Sequence, residues 1–372
     1  MPLSDVFGQT SVRTPRLRVL ANGVPLVGVQ DAALVNNNHF ASDRFHLGIA
    51  MGADPVGYAE LAAQVDVLID VQVSLDGASF VSMLQGSVDT LVIDTVGQIM
   101  RLDGRDLSAG LIEARTQETF ANRTASEIAQ TLAERHGLDA DVQATTTLAG
   151  RYWQIEHDRI VLNQFGRATT EWDLLVTLAQ FEGFDVWMTG TTLHFRAAAA
   201  QAAAATVVRP VATVSGPANV MALRLERSLT LARDIQVIVK SWNSRQRNAF
   251  VQTARRQGHG ATRGKVQTYV YVVPNLTPDD ALKYAQSRLA ELTRHERVVT
   301  AEMPGELRLM PRMKLRIEGT GTDFDQDYWV DRVERHFSVQ DGFSQSVHAR
   351  NTSETSQAVA PGDRVSSIWT NS

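Results

Sequence analysis

The sequence predicts an α+β chain that is mostly β. Three observations predict it. Period-2 alternation of apolar and polar residues recurs near both ends. Asn-Gly and Asp-Gly pairs punctuate those stretches. Helical spacing with recognisable caps is confined to a few short segments. Alternation marks a strand with one buried and one wet face, and the dipeptides are hairpin signals.

The elements follow in order. Arg16-Leu17-Arg18-Val19 runs into Asn22-Gly23, a hairpin turn, and Arg44 to Ile49 alternates polar and apolar. Val65, Val67, Ile69, Val71, Val73 and Leu75 form a stripe broken only by Leu68, and Asp76-Gly77 offers a turn after it. Such strands favour a small barrel or sandwich over a parallel α/β sheet. Near Leu102 the period changes. Thr124-Ala125-Ser126-Glu127 is a capping box, with Ile128 and Leu132 on one face and Gly137 as the stop. A second helix fits Thr170 to Gly183, with Trp172, Leu175, Val176 and Ala179 at helical spacing. Leu174, Leu178 and Phe181 widen its apolar girth, which predicts burial. Val186 to Phe195 reads as a hairpin around Thr189-Gly190, and the alanine tract from Ala197 to Ala205 as a connector.

Strands then return at Val220 to Leu229, Ile235 to Val239 and Val266 to Val273, separated by a polar, arginine-rich loop from Lys240 to Lys265. Thr277-Pro278-Asp279-Asp280 opens a third helix, with proline at its first position and acids in its first turn. Ala281, Ala285, Leu289 and Leu292 give it an apolar side. Tyr328 to Gln340 and Phe343 to Ala349 flank Asp341-Gly342 as a last hairpin. The Ser- and Thr-rich residues beyond Asn351 are expected to be mobile.

Composition narrows the function classes. A length of 372 residues suggests two to three domains. The absence of cysteine removes disulfides, thiolate metal sites and cysteine nucleophiles. A net charge of −5 argues against a basic nucleic-acid clamp. The first residues lack a basic region followed by an apolar one, so no secretory signal is expected. No apolar run approaches a membrane span, and no membrane partner is expected.

No motif carries catalytic chemistry. Gly258 to Lys265 looks like a phosphate loop, but the first glycine position holds His259, Val266 replaces the Ser or Thr, and a strand follows. His157 beside Glu156 and Asp158, and His295 beside Glu296, lack the spacing that puts two ligands on one face. His336 and His348 are candidates for a cross-strand structural pair. There is no Gly-x-Ser-x-Gly elbow. No cofactor, metal or catalytic residue is expected. The informative feature is charge. Ile235 to Pro278 contains no Asp or Glu but carries Lys240, Arg245, Arg247, Arg255, Arg256, Arg263 and Lys265. Arg245, Arg247, Arg255, Arg256, Arg263 and Lys265 are the candidate docking residues for an acidic partner surface. A merely solvated loop is the competing reading.

Several segments together resemble a known family. They are Leu102-Asp103-Gly104-Arg105-Asp106-Leu107-Ser108, the capped helix at Thr124 to Gly137, and Glu171 to Leu175 leading through Gly183-Phe184 to Leu193-His194-Phe195. Later come Ala281 to Leu292, Gly305-Glu306-Leu307, and Tyr328-Trp329-Val330 through His336-Phe337-Ser338 to Gly342-Phe343. Their order over about residues 10 to 350 is similar to the late control D family of bacteriophage tail hub proteins, whose hub module recurs in type VI secretion spike proteins. The resemblance implies two tail-tube-like β-barrel domains with α/β material between and inserted. The first barrel would occupy 1–101, an α+β domain 102–205, and the second barrel 206–240 with 300–350. Residues 241–299 would form an inserted loop, strand and helix, and 351–372 a tail.

The resemblance also implies a homotrimer in the virion baseplate of a contractile tail, assembled in the host cytoplasm. Its partners would be the tail tube protein, a separate central spike and other baseplate proteins, with genomic DNA passing through without sequence-specific binding. A phage-derived injection particle or type VI machine is the alternative setting, and a cell-wall hydrolase is the rival from another class.

Overall fold

The computed structural model describes residues 13–38, 40–116, 120, 123–146, 148–149, 170–197, 206–232, 234–243, 248–256, 266–273, 276–351 and 357–358. The chain divides into two compact units. The first comprises 1–223, 300–325 and 329–349, and the second 224–299, 326–328 and 350–372. The alanine tract and the glycine loop at 258–265 lie outside the described residues, apart from Ala197.

The first unit begins with β1 (Arg16–Ala21), β2 (Val24–Pro25), β3 (Val29–Asn37) and β4 (Arg44–Ala50). Helix α1 (Pro55–Ala62) follows, capped by Asp54, which accepts from the Gly57 amide at 3.0 Å. Next come β5 (Leu68–Ser74), the long β6 (Val81–Asp94) and β7 (Ile99–Asp106). The predicted stripe forms β5: Ile69, Val71 and Val73 are buried, and Asp70 and Gln72 face out. It is shorter than its sequence pattern, since Val65 precedes the strand and is exposed.

An α/β lobe follows in the same unit. It contains α2 (Ser108–Glu113), α3 (Ala125–Arg135), β8 (Asp139–Val142), α4 (Glu171–Glu182), β9 (Phe184–Thr189) and β10 (Thr192–Ala197). Both bonds of the predicted capping box form. The Glu127 amide donates to Thr124 Oγ1 at 3.3 Å, and the Thr124 amide donates to Glu127 Oε2 at 2.9 Å. Thr170 caps α4, and Gly183 ends it. Ile128, Leu132, Leu175, Leu178, Leu193 and Phe195 make the lobe's core, so α4 is buried as its girth predicted.

The later strands are β11 (Thr206–Val208), β12 (Ala222–Arg227), β13 (Ile235–Asn243), β14 (Asn248–Arg256) and β15 (Gln267–Val272). Helix α5 (Pro278–Arg294) comes next, then β16 (Arg297–Pro304), β17 (Lys314–Ile317), β18 (Asp327–Ser338), β19 (Gly342–Asn351) and β20 (Gln357–Ala358).

In the first unit the large sheet runs β16-β19-β18-β3-β4-β7-β6-β5-β1-β2. Its joint is the antiparallel pairing of β3 with β18, from Arg332 opposite Asn37 to Ser338 opposite Asp31. Strands from opposite ends of the chain therefore share one sheet. Val19, Leu34, Phe45, Leu47, Met100 and Leu102 pack beneath it, with Phe337 and Phe343 against them.

The second unit is a sheet ordered β15-β13-β14-β20 backed by α5. Ile235, Val237, Val239 and Ala254 meet Ala281, Ala285 and Leu289. The arginine-rich stretch expected to be a loop contains β14, which pairs with β13 from Ile235 opposite Arg256 to Asn243 opposite Asn248. Its apolar inward positions are spaced by Gln, Thr and Arg, and the polar majority hid the alternation.

Candidate assembly surfaces

The segment Leu102 to Ser108 shows how a short motif becomes geometry. Gly104 leaves no room for a side chain. A Cβ there would lie 2.2 Å from the Ser87 carbonyl oxygen and 2.3 Å from the Phe45 ring. Its neighbours tie strands together. Asp103 meets His46 Nδ1 at 2.6 Å, and Arg105 grips Asp89 at 2.6 and 2.7 Å and Glu113 at 2.7 Å. Asp106 accepts from the Ser108 amide and hydroxyl, which starts α2, and from the Asp43 amide at 3.0 Å.

Asp106 and Asp43 open a buried polar network. Asp43 accepts from Asn36 Nδ2 and from the Asn37 amide, both at 2.7 Å. Burial first, and the charge of Asp106 second, push the Asp43 carboxyl up to about 7. Burial also raises Asp106. Two arginines face this pair. Arg335, 2% exposed, donates to Asn36 Oδ1 at 2.6 Å, to the Glu306 carbonyl at 3.3 Å and to the Leu309 carbonyl. Arg312 donates to the Asn37 carbonyl at 3.2 Å and stacks 4.4 Å from the Trp187 ring centre. Burial pushes both guanidiniums down to about 10, against the pull of nearby carboxylates.

The Gly305-Glu306 motif belongs to the same neighbourhood. A Cβ on Gly305 would fall 2.1 Å from the Phe343 ring, and the Gly305 amide donates to the Phe343 carbonyl at 2.9 Å. Glu306 accepts from Arg13 at 3.3 Å and from the Leu307 amide at 3.0 Å. Both oxygens of Asp43, Asp106 and Glu306 are committed to hydrogen bonds, so the network holds backbone segments together. Sequence reading missed it. The available signal was the run Asn36-Asn37-Asn38 with Asp43 beside apolar β-strands.

The basic candidates separate in the second unit. Arg256, 12% exposed, pairs with the buried Glu296, which also takes Arg227 at 3.2 Å. Arg255 is 41% exposed and lies 3.4 Å from Asp234. Arg256 is thus committed inside the unit, while Arg255 keeps an open side. Arg245, Arg247, Arg263 and Lys265 lie outside the described residues.

The described histidine candidates His348 and His295 contact neighbours within their own units. His348 meets Thr300 at 3.2 Å and Arg332 at 3.5 Å, so the expected pairing with His336 is replaced by these neighbours. Burial lowers its pKa, and Arg332 adds to that. His295 accepts from Arg350 at 2.8 Å, and His157 lies outside the described residues. Among the described residues, no group of three or more His, Asp or Glu is placed to hold a metal, and no helix is long and apolar enough to cross a membrane.

Among the described residues, the unpaired strand edges include these two. The ladder between β5 and β6 ends at Leu68 opposite Ser87, with one more bond from the Val88 amide to the Val67 carbonyl. From Asp89 to Asp94, β6 continues on β7 alone, with Val92 and Ile93 exposed. In the second unit β15 is an edge strand with Val270 and Val272 exposed.

Residues 105–342 match the family model described as phage tail baseplate hub (GPD). The chain belongs to the phage tail baseplate hub family. No curated protein matches this hub chain. Among solved structures, a tail protein from Neisseria meningitidis MC58 is similar at TM-score 0.68 and 14% identity, with 91% of this chain and 96% of that one covered. The 43 kDa tail protein of prophage MuSo2 from Shewanella oneidensis gives 0.67 and 15%, with 90% and 98% covered. An Escherichia coli component of the type VI secretion system gives 0.56 and 12%, with 92% and 79% covered. At these identities the likeness is one of fold. The hub motifs read from sequence at 102–108 and 305–307 are, in the structure, the close-packed strand and network residues described above.

Proposed function

We propose that this chain is the structural baseplate hub of a contractile phage tail, a homotrimer that joins the hexameric tail tube to the trimeric central spike. The observation that carries the reading is the family match across 105–342, over a fold in which strands from both ends of the chain build one sheet. Two tube-like halves per chain, three chains per hub, would present six units to a sixfold tube. The threefold ring requires heterologous contacts that return to their start. Open strand edges of the kind seen at β6 and β15 supply material for such contacts. The genome would pass through the centre, and the net charge of −5 suits a lumen that does not hold DNA back.

An enzymatic role is disfavoured in this reading. The two carboxyls that burial raises, Asp43 and Asp106, are bound by neighbouring backbone and side chains. Purified chain incubated with peptidoglycan is expected to release no fragments. Soluble fragments above a no-protein control would establish hydrolase activity and displace the purely structural role. Mixing with tail tube and spike proteins is expected to give complexes with both. Failure to bind either would reject the joining role.

A further inference from the structure

The α/β lobe, residues 107–197, leaves the large sheet at the end of β7 and is joined to it by few side chains. Each part has its own apolar core. Among the described residues, the sheet's core takes no side chain from the lobe. The lobe's core takes one from the sheet side, Phe40 in the turn between β3 and β4. The other links include three polar contacts. Trp172 Nε1 on α4 donates to the Phe40 carbonyl at 2.7 Å, Ser108 Oγ on α2 donates to Ser42 Oγ at 2.9 Å, and Arg312 stacks on Trp187 of β9. Two packed bodies joined by so small and polar a seat move relative to one another by default.

The turn that carries the seat is strained. Phe40 has a φ of +59°, a backbone region that aromatic residues rarely adopt and that persists only where the surroundings enforce it. On the lobe side, the ring in the lobe's core and the bond from Trp172 enforce it. On the strand side, Asp43 does. Its carboxyl accepts from Asn36 and from the Asn37 amide, its own amide donates to Asp106 at 3.0 Å, and Asn37 Nδ2 donates to the Ser42 carbonyl at 3.0 Å.

That base holds two carboxyls without a direct counter-charge. Arg312 and Arg335 face them, but among the described residues they donate to the side chains of Asn36 and Asn38 and to backbone carbonyls rather than to Asp43 or Asp106. Glu306 acts on Arg335, Asp185 on β9 acts on Arg312 from the lobe, and Arg105 acts on Asp106. Burial opposes a negative charge at either carboxyl, and at Asp43 the charge of Asp106 adds to it.

We propose that the turn residues Phe40 to Asp43 are a latch that holds the α/β lobe on the sheet, and that loss of a proton from the buried carboxyl pair Asp43 and Asp106 opens it. The proton goes to solvent and leaves two carboxylates in one buried site. Swinging the turn outward hydrates them, relieves the backbone at Phe40 and releases the lobe with both apolar cores intact. The device is a property of the fold and does not depend on the hub reading.

Because the chain has no cysteine, single thiols report the opening. Ser42→Cys lies on the turn, Ser108→Cys faces it from α2, and Ala129→Cys sits in the lobe's core; all three positions are buried. The rate of thiol alkylation in the full chain is read against that of the unfolded chain at the same pH. Ser42→Cys and Ser108→Cys are expected to label at matching rates, well above Ala129→Cys. With Asp43 at about 7 in the closed state and about 4 in the open one, both rates should rise about tenfold from pH 6 to pH 8. Adding Asp43→Asn should cut that rise to about threefold or less. Adding Phe40→Ala should raise both rates at pH 6 by about tenfold or more while Ala129→Cys stays protected. Labelling of Ser42→Cys without Ser108→Cys would mean that the turn frays alone. Equal labelling of all three would mean global unfolding, and no labelling at either junction site would mean a fixed lobe. Each of these overturns the latch, and so does a full tenfold rise that survives Asp43→Asn. Where Ser108→Cys does not fold, Ala109→Cys on the same helix replaces it.

Discussion

Burial, and after it the charge of Asp106, opposes ionisation of Asp43 more than its hydrogen bonds to Asn36 and Asn37 favour it. With its carboxyl raised to about 7 in the folded chain, it binds a proton that the unfolded chain has already released. Its contribution to stability is therefore full at pH below about 4 and falls as pH rises from there through about 7. Asp43→Asn keeps an acceptor for the Asn37 amide and removes the titration. The variant should melt closer to wild type at pH 5 and above it at pH 8, and a flat difference across that range would remove Asp43 as the source. Glu296 is a buried carboxylate held by Arg227 and Arg256. Glu296→Ala strands those guanidiniums and should cost about 3–5 kcal/mol in denaturant unfolding. A loss under 1 kcal/mol would mean the pair is effectively solvated. The same geometry changes how the docking residues should be tested. An alanine at Arg256 acts through stability, so Arg255 is the described position at which partner binding can be probed.

At the scale of elements, the helices were the most legible parts of the sequence. Each of α3, α4 and α5 carries a threonine cap whose hydroxyl accepts from the third residue of the helix, and such local chemistry is written in neighbouring letters. Thr124→Ala should cost about 1 kcal/mol, read as a lower melting temperature, and Thr124→Ser should restore most of it. Strands were legible where one face is buried throughout, as in β5. They were obscured where both faces vary. The outer half of β6 is exposed on either side, and β14 sets its inward Phe250 and Ala254 among polar residues. α1 was missed because its signal, Asp54 before Pro55, lies in a stretch with no clear helical stripe. The network around Asp43 and Arg335 was not legible as a network, beyond the polar run Asn36-Asn37-Asn38 with Asp43. Arg335 and Asn36 are 299 residues apart, and nothing in a local pattern announces that β18 pairs with β3. What the sequence did carry was the motif Gly305-Glu306-Leu307. Its glycine has a physical reason in the Phe343 ring, so Gly305→Ala is expected to disturb packing around β19 and lower the yield of folded protein. Wild-type melting in that variant would show the ring can move aside.

For the whole molecule, the parts agree on a chain built for assembly. A large sheet joins strands from the early and late parts of the chain, its polar network holds backbone segments together, and among the described residues the unpaired strand edges include β15 and the outer half of β6. In the proposed role the hub would meet the tube and the spike through repeated copies of itself, and those contacts presuppose that repetition. The native mass of the purified chain, alone and with tail tube or spike protein, tests this most directly. The account predicts a species of three times the 40.9 kDa chain mass alone, and complexes that keep three copies of the chain when either partner is added. A stable single-chain mass in every mixture would contradict it.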